Sequence, residues 1–404
     1  MTIESGSWGR AARGCVTLTG VLHLVVAGAL AGQGPGAPYG EASAVPIQFR
    51  AAAMEARRLV HAFMAERGIP GTSVAVGVDG RIVWSEGFGY ADVELGVPVT
   101  PLTKFRGGST SKPMTQAAAS LLKEEGRMDF DVPVQRYVPS FPEKGHVITP
   151  RHLMAHTSGI RHYPPEGNEF HSAKHYEDIV DALEIFENDP LLFEPGTAES
   201  YSTYGANLLG AAVQGAAGED FLTVLHEYVF APLGMLSTVG DHTDRIILHR
   251  TGFYERTNRR PHYHLRQSSW GDGTGLGELL NAPYVDNSNK WAGGGLLTTP
   301  EDLVRFGSAH LRPGFLTPES LAEILTPGRI GNGEVQNRGL NWSIETDDEG
   351  RRVISHGGGG VGSNSSLRVY LEEGVVVAIQ ANLSQSNPGV LSEPIAELFI
   401  SALD

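Results

Sequence analysis

The sequence predicts an α/β (α+β) fold: an antiparallel sheet flanked by helices, contributed by both ends of the chain, with a mostly helical domain inserted between them. Three observations predict it. Two β-branched runs near the start, 72–78 and 81–84, are joined by Asp79-Gly80, a strong two-residue hairpin signal. Extended segments return at the end, over 341–345, 353–356, 366–370 and 375–381, with Glu372-Glu373-Gly374 turning the last pair. Between about 109 and 235 the pattern is helical, with long polar loops. Strands joined by tight turns pair antiparallel, so both termini feed one sheet. The sheet part is expected from about 47–108 and 293–404, and the helical part from about 109–292.

In chain order, residues 1–31 read as a secretory signal peptide. Arg10 and Arg13 precede an uncharged, mostly apolar run from Cys15 to Ala31, and small residues follow at Ala29-Leu30-Ala31 and Ala42-Ser43-Ala44. The processed segment extends to 44 if the second site is used. The alternative is a membrane anchor at 15–31, but 17 residues fall short of the roughly 20 that a span requires. Export to the periplasm or outside the cell is therefore expected, with no stable membrane span after processing. Residues 32–46 are a Gly/Ala/Pro-rich flexible lead-in. Residues 47–67 suit a helix ended by Gly68 and Pro70. A further extended piece covers 87–93, and 394–403 has the apolar spacing of a last helix.

Composition excludes several functions. The formal charge is −15, the wrong sign for neutralising nucleic-acid phosphates. A single cysteine, Cys15, rules out a disulfide framework and any multi-cysteine metal site. His262 and His264 lack the third and fourth ligands that zinc needs, and His226-Glu227 lacks a second histidine four residues after the first. Neither metal nor organic cofactor is expected. No Gly-x-Ser-x-Gly frames Ser109 or Ser158, so an α/β-hydrolase elbow is not supported.

The segment FRGGSTSKPMTQAAASLL (105–122) carries the chemistry. Met114, Ala117, Ala118, Leu121 and Leu122 form one apolar stripe, and Pro113 requires a helix start at or near Ser109. Ser109 and Lys112 then share a face, three residues apart. A serine hydroxyl needs a base to take its proton, and a lysine does this when burial lowers its pKa. Two further motifs follow in order: Tyr201-Ser202-Thr203 before an apolar helical run, and His356-Gly357-Gly358 after a strand.

Ser-x-x-Lys, Tyr-x-Thr and His-x-Gly in that order resemble the class C β-lactamase, D-alanyl-D-alanine carboxypeptidase and esterase superfamily. The strings ITPRHLMAHTSGI (148–160), FEPGTAESYSTYGANLLG (193–210), NAPYVDNSNKWAGGGLLTTPEDLVRFG (281–307) and SHGGGGVGS (355–363) carry the resemblance. Within that superfamily, FEPGTAESYSTYG (193–205) and the 281–307 string most resemble the mitochondrial serine β-lactamase-like proteins and their bacterial relatives. The resemblance implies a β-lactamase/transpeptidase-like fold and a serine hydrolase acting on a small-molecule, ester or peptide substrate. Ser109 would be the acylated nucleophile, Lys112 its base partner and Tyr201 the proton carrier to the leaving group. His356, Gly358, Gly359 and Thr203 would form the substrate and oxyanion side, with the backbone N–H groups of Ser109 and Gly359 as the hole. Thr203 stands where class C β-lactamases carry Asn, and His356 where most carry Lys. The first departure weakens the expectation of efficient β-lactam hydrolysis, and the second that of a dedicated carboxylate site. A β-lactam sensor that acylates without turning over, and a filament-forming relative, are the alternatives. His156 reads as a structural histidine bonding a backbone group, and Trp291 as local packing in a tight turn.

Overall fold

The computed structural model describes residues 44–164, 168–257 and 277–403, all within one unit, Ala37–Asp404. Residues 1–43, including Cys15, and the pair His262 and His264 lie outside the described residues.

Helix α1 (Arg50–Arg67) ends at Gly68, whose φ of 58° only glycine adopts freely, and its N–H bonds the Met64 carbonyl. Strands β1 (Gly71–Val78) and β2 (Arg81–Asp92) follow. Asp79 and Gly80 both take positive φ, the turn that matches strand twist in a two-residue hairpin. The sequence predicts a break in the second strand between residues 84 and 87. The structure runs it unbroken, because the polar interruption is satisfied internally. Glu86 is buried, accepting from Arg57 Nε at 2.7 Å and Trp84 Nε1 at 2.8 Å.

The order continues β3 (Val97–Pro98), β4 (Phe105–Arg106), α2 (Ser111–Glu124), α3 (Pro150–Met154), α4 (Thr203–Ala217) and α5 (Phe221–Leu225). Short strands β5 (Val239–Gly240), β6 (Tyr254–Arg256) and β7 (Leu279–Asn281) lead to α6 (Trp291–Gly294) and β8 (Leu296–Thr298). Then come α7 (Pro300–Ser308), α8 (Pro318–Ile324), β9 (Ser343–Thr346), β10 (Arg352–Gly360), β11 (Ser363–Tyr370), β12 (Val375–Ala381) and α9 (Ser392–Ile400). Helices α3, α7 and α8 start alike. A threonine side chain (Thr149, Thr299, Thr317) accepts a first-turn N–H, and proline follows where its missing donor costs nothing.

The main sheet has the order β3-β2-β1-β12-β11-β10-β9, antiparallel throughout. The hairpin from the start of the chain therefore docks on the last strand, with Val74 opposite Ile379. The expected fold class is borne out. One sheet face buries Val76, Trp84, Val377 and Ile379 under α1 and α9, where Phe399 stacks on Trp84 at 5.9 Å. The other face buries Ala75, Val369 and Val376 against Val304 of α7 and the helical part. Strand β10 also corrects the expected boundary. It does not stop at His356 but continues through four glycines to Gly360, paired with residues 363–366 of β11. Among the described residues no helix is long and apolar enough to cross a membrane.

Phe399 is fully buried between Trp84 and Phe49. Phe399→Ala is expected to lower the unfolding free energy by about 3–5 kcal/mol, read from urea midpoints. A change under about 1 kcal/mol would contradict this account of the packing.

Candidate active site

Ser109 sits in a single 3₁₀ turn, Gly108–Thr110, that leads directly into α2. The helix is buried on nearly all sides, not along one stripe: Lys112, Thr115, Gln116 and Ser120 are as inaccessible as Met114 and Leu122. That environment decides the chemistry of Lys112. Its Nζ lies 2.9 Å from Ser109 Oγ, 3.1 Å from Thr203 Oγ1 and 2.6 Å from the Gly293 carbonyl. No carboxylate is among these partners, and burial pushes the lysine pKa down. The neighbouring Tyr201 opposes that shift in part.

Tyr201 donates to Ser109 Oγ at 2.7 Å. It is placed by the start of α4, where Ser202 caps the helix by accepting the Gly205 N–H and donates to the Arg161 carbonyl. Its ring is packed by His156 at 4.5 Å and His162 at 5.4 Å, with Lys112 Nζ 4.8 Å from the ring centre. His156 Nδ1 accepts the Ser202 N–H and His162 Nδ1 accepts the Thr203 N–H. His156 thus bonds a backbone group as the sequence suggested, and it also braces Tyr201.

The substrate side is formed by β10. A Cβ at Gly108, where φ is +53°, would lie 2.6 Å from the Gly359 carbonyl oxygen and 2.8 Å from Gly359 N. A Cβ at Gly358 would lie 1.9 Å from the Gly107 carbonyl oxygen. Real Cβ contacts never come so close, so glycines at these positions let the strand backbone lie on the turn that carries Ser109. Ser365 ties the two together by donating to the Gly107 carbonyl at 2.5 Å.

His356 is buried, and burial with the nearby Lys112 charge pushes its pKa down to about 3. Its Nδ1 lies 2.7 Å from the Gly357 carbonyl, which can only accept, so Nδ1 carries the proton and Nε2 is an acceptor. A neutral ring presenting a lone pair cannot hold a carboxylate. The structure thus brings Ser109, Lys112, Tyr201 and Thr203 into direct contact and sets Gly358 and Gly359 beside them. His356 lies on the same strand, within electrostatic range of Lys112.

Sequence reasoning missed three groups. The Gly293 carbonyl, from a segment read only as a tight turn, holds Lys112. The same segment's Trp291 is buried, as local packing required. His162 and Arg338 also reach the site, Arg338 with its guanidinium carbon 6.0 Å from the Tyr201 ring centre. A backbone acceptor leaves no signature in residue types, and Arg338 lies 137 positions from Tyr201, so spacing cannot link them. The acidic group Asp347, Glu349 and Glu397 offers three close carboxylates, but Arg351 pairs with all of them.

An antiparallel sheet, a helical insertion and a serine set against a buried lysine at the start of a helix define the serine hydrolases of the β-lactamase fold. The chain belongs to the beta-lactamase family, whose model matches residues 56–401. It is 32% identical to the mouse (Mus musculus) protein "Serine beta-lactamase-like protein LACTB, mitochondrial", over 86% of this chain and 80% of that one. It is 29% identical to "Esterase EstB" of Burkholderia gladioli, over 70% of this chain and 75% of the relative. Among solved structures, the octameric penicillin-binding protein homologue from Pyrococcus abyssi superposes with a TM-score of 0.69 at 22% identity, covering 86% and 77% of the two chains.

Two outcomes follow from this geometry. Gly358→Ala is expected to lower turnover by at least about 100-fold while the chain stays folded by circular dichroism; unaltered kinetics would mean the strand does not bear on the serine turn. His162 (pKa pushed down to about 4), His310 (about 4) and His356 (about 3) are neutral in the folded chain. Their folded pKa values lie below the unfolded value near 6.5. Their contribution to stability is therefore complete above about pH 6.5 and is lost as pH falls toward 4 and then 3. Imidazole NMR resonances of His356 should hold constant from pH 8 to 5; an inflection near 6.5 would contradict the burial argument.

Proposed function

We propose that the protein is an exported serine hydrolase that cleaves an amide or ester bond through an acyl-Ser109 intermediate. The observation that carries this reading is the double contact on Ser109 Oγ, from Lys112 Nζ at 2.9 Å and Tyr201 OH at 2.7 Å. A neutral lysine has two N–H donors and one lone pair. The Gly293 carbonyl and Thr203 Oγ1 occupy the two donors. The lone pair is then left for the Ser109 proton.

Ser109 Oγ attacks the substrate carbonyl carbon as its proton passes to the Lys112–Tyr201 pair. The carbonyl oxygen becomes an oxyanion, met by the backbone N–H groups of Ser109 and Gly359. The bond to the leaving group breaks, and Tyr201 returns the proton to the departing nitrogen or oxygen. Water then attacks the acyl-Ser109 ester, giving its proton to the same pair, and the acid leaves with Ser109 reprotonated. The relatives named as an esterase and a β-lactamase-like protein support this chemistry. Thr203, spent on Lys112, supports peptidase or esterase activity over strong β-lactam hydrolysis. Export rests on the order of residues 1–31 and is checked by the mass of the purified chain, which should lack that segment.

Incubation with a fluorophosphonate, p-nitrophenyl esters and nitrocefin tests the reaction. The wild type should label at Ser109 and turn esters over, with nitrocefin slow. Ser109→Ala should abolish both signals, and Lys112→Ala should lower ester kcat/KM by about 10²–10⁴-fold. Because the lysine pKa is lowered by burial, the active unprotonated fraction grows as pH rises, so kcat/KM should rise along an acid limb set by Lys112. A wild type that neither labels nor hydrolyses defeats the reading. A stable acyl adduct without product release would make it a sensor.

A further inference from the structure

The chain folds back on itself before it enters β9. Residues 328–338 form a hairpin arm in which Arg329 pairs antiparallel with Val335. The Gln336 N–H donates to the Gly328 carbonyl at 2.9 Å, and the Gly328 N–H to the Arg338 carbonyl at 2.9 Å. Gly333 turns the tip with a φ of 83°. The base is fixed in the core, where Leu325 and Leu340 are buried and the Leu340 N–H donates to the Ile324 carbonyl. Beyond the base the arm stands in solvent, with Arg329 and residues 331–335 exposed. It crosses from the sheet part to the loop ahead of Tyr201. Among the described residues, three hydrogen bonds hold it there. The Gly331 N–H donates to the Gly196 carbonyl at 2.9 Å, Gln336 Nε2 to Glu199 Oε2 at 2.7 Å and Arg338 Nε to Glu199 Oε1 at 3.1 Å. Glu199 thus grips the arm with both oxygens, two residues before Tyr201. The grip sets the Arg338 guanidinium carbon 6.0 Å from the Tyr201 ring centre. An ion pair at the surface contributes little. An arm whose remaining bonds are internal can leave as a unit, far below the cost of global unfolding.

Resting on the acyl-serine reading, we propose that residues 328–338 are a strap over the Tyr201 side of the active site. Glu199 is its catch, and the strap must swing off the 196–199 loop for substrate to enter and product to leave. Closure completes the wall beside Tyr201, and opening exposes it. Glu199 is a positioning residue, because it touches the strap and not the reacting atoms. The fixed base at Leu325 and Leu340 is the pivot, and the 196–199 loop is the rim on which the strap closes.

The contact itself supplies the test. A Cβ at Gly331 would lie 3.8 Å from Thr197 Cβ, the usual span of a disulfide. Thr197→Cys and Gly331→Cys are combined in a chain carrying Cys15→Ser, which removes the only natural cysteine. The reduced pair should match its Cys15→Ser parent on p-nitrophenyl esters. Oxidation should form the disulfide, read by mass spectrometry, and lower ester kcat/KM by at least about 10-fold. Dithiothreitol should restore it. Independently of turnover, Glu199→Ala should speed amide hydrogen exchange over 328–338 and leave α2 and β10 unchanged. A pair that does not cross-link, or that hydrolyses esters as fast when oxidised, overturns the strap and leaves the hydrolase reading standing. So does unaltered exchange in Glu199→Ala. A loss already present in the reduced pair, or not reversed by dithiothreitol, assigns positions 197 and 331 to folding alone and also overturns it. A wild type that fluorophosphonate does not label at Ser109 removes the hydrolase reading and the strap's role with it.

Discussion

A lysine ammonium sealed inside a helical core without a carboxylate is the constraint around which the rest is arranged. Lys112 is fully buried, so its charged form is penalised and its neutral form favoured. The neutral amine still has two N–H groups to satisfy, and leaving them unmatched would cost a few kcal/mol. Gly293 and Thr203 satisfy them. Two helices supply them: Thr203 opens α4, and Gly293 belongs to the short helix α6. Thr115, one turn along α2, bonds the adjacent Ala292 carbonyl and locks the same contact. The two helices thus accommodate the side chain as a buried neutral amine.

The sheet serves the other half of the site. Its strand β10 approaches the serine turn with bare backbone, possible because glycine occupies both surfaces where they meet. Electrostatics keeps the roles apart. The histidines around Tyr201 and on β10 are held neutral by burial, so they pack and accept hydrogen bonds without competing with the lysine for protons. Burial favours the neutral amine of Lys112 behind the nucleophile, and the Arg338 guanidinium lies beside the tyrosine.

Much of this was legible in the sequence because it rests on local signals. Asp79-Gly80 sets a hairpin whose register needs no distant information. Pro113 places the helix start beside Ser109, and the Ser-x-x-Lys spacing puts Lys112 one turn on. The unread parts depend on distant partners. Strand β2 looks interrupted because Glu86 is polar, and its charge is matched by Arg57, 29 residues earlier. Strand β10 looked finished at His356 because glycine has low strand propensity; pairing with β11 overrides it. The Gly293 carbonyl has no side chain to announce it. Arg338 looked like any surface arginine until Glu199 and Tyr201 were brought to it.

The pairing of β1 with β12 has a kinetic consequence. Thr72 and Ala381 are neighbours in space and lie at opposite ends of the described chain. A sheet whose centre joins such remote segments closes slowly, because loop-closure entropy is lost before the contacts compensate. Strand β10, which flanks Ser109, is joined to that centre through β11 and β12. A chain still being synthesised therefore holds Ser109 and Lys112 long before it holds the wall opposite them. The serine turn gains that wall only when the C-terminal strands dock, so the site is the last part of the fold to be completed.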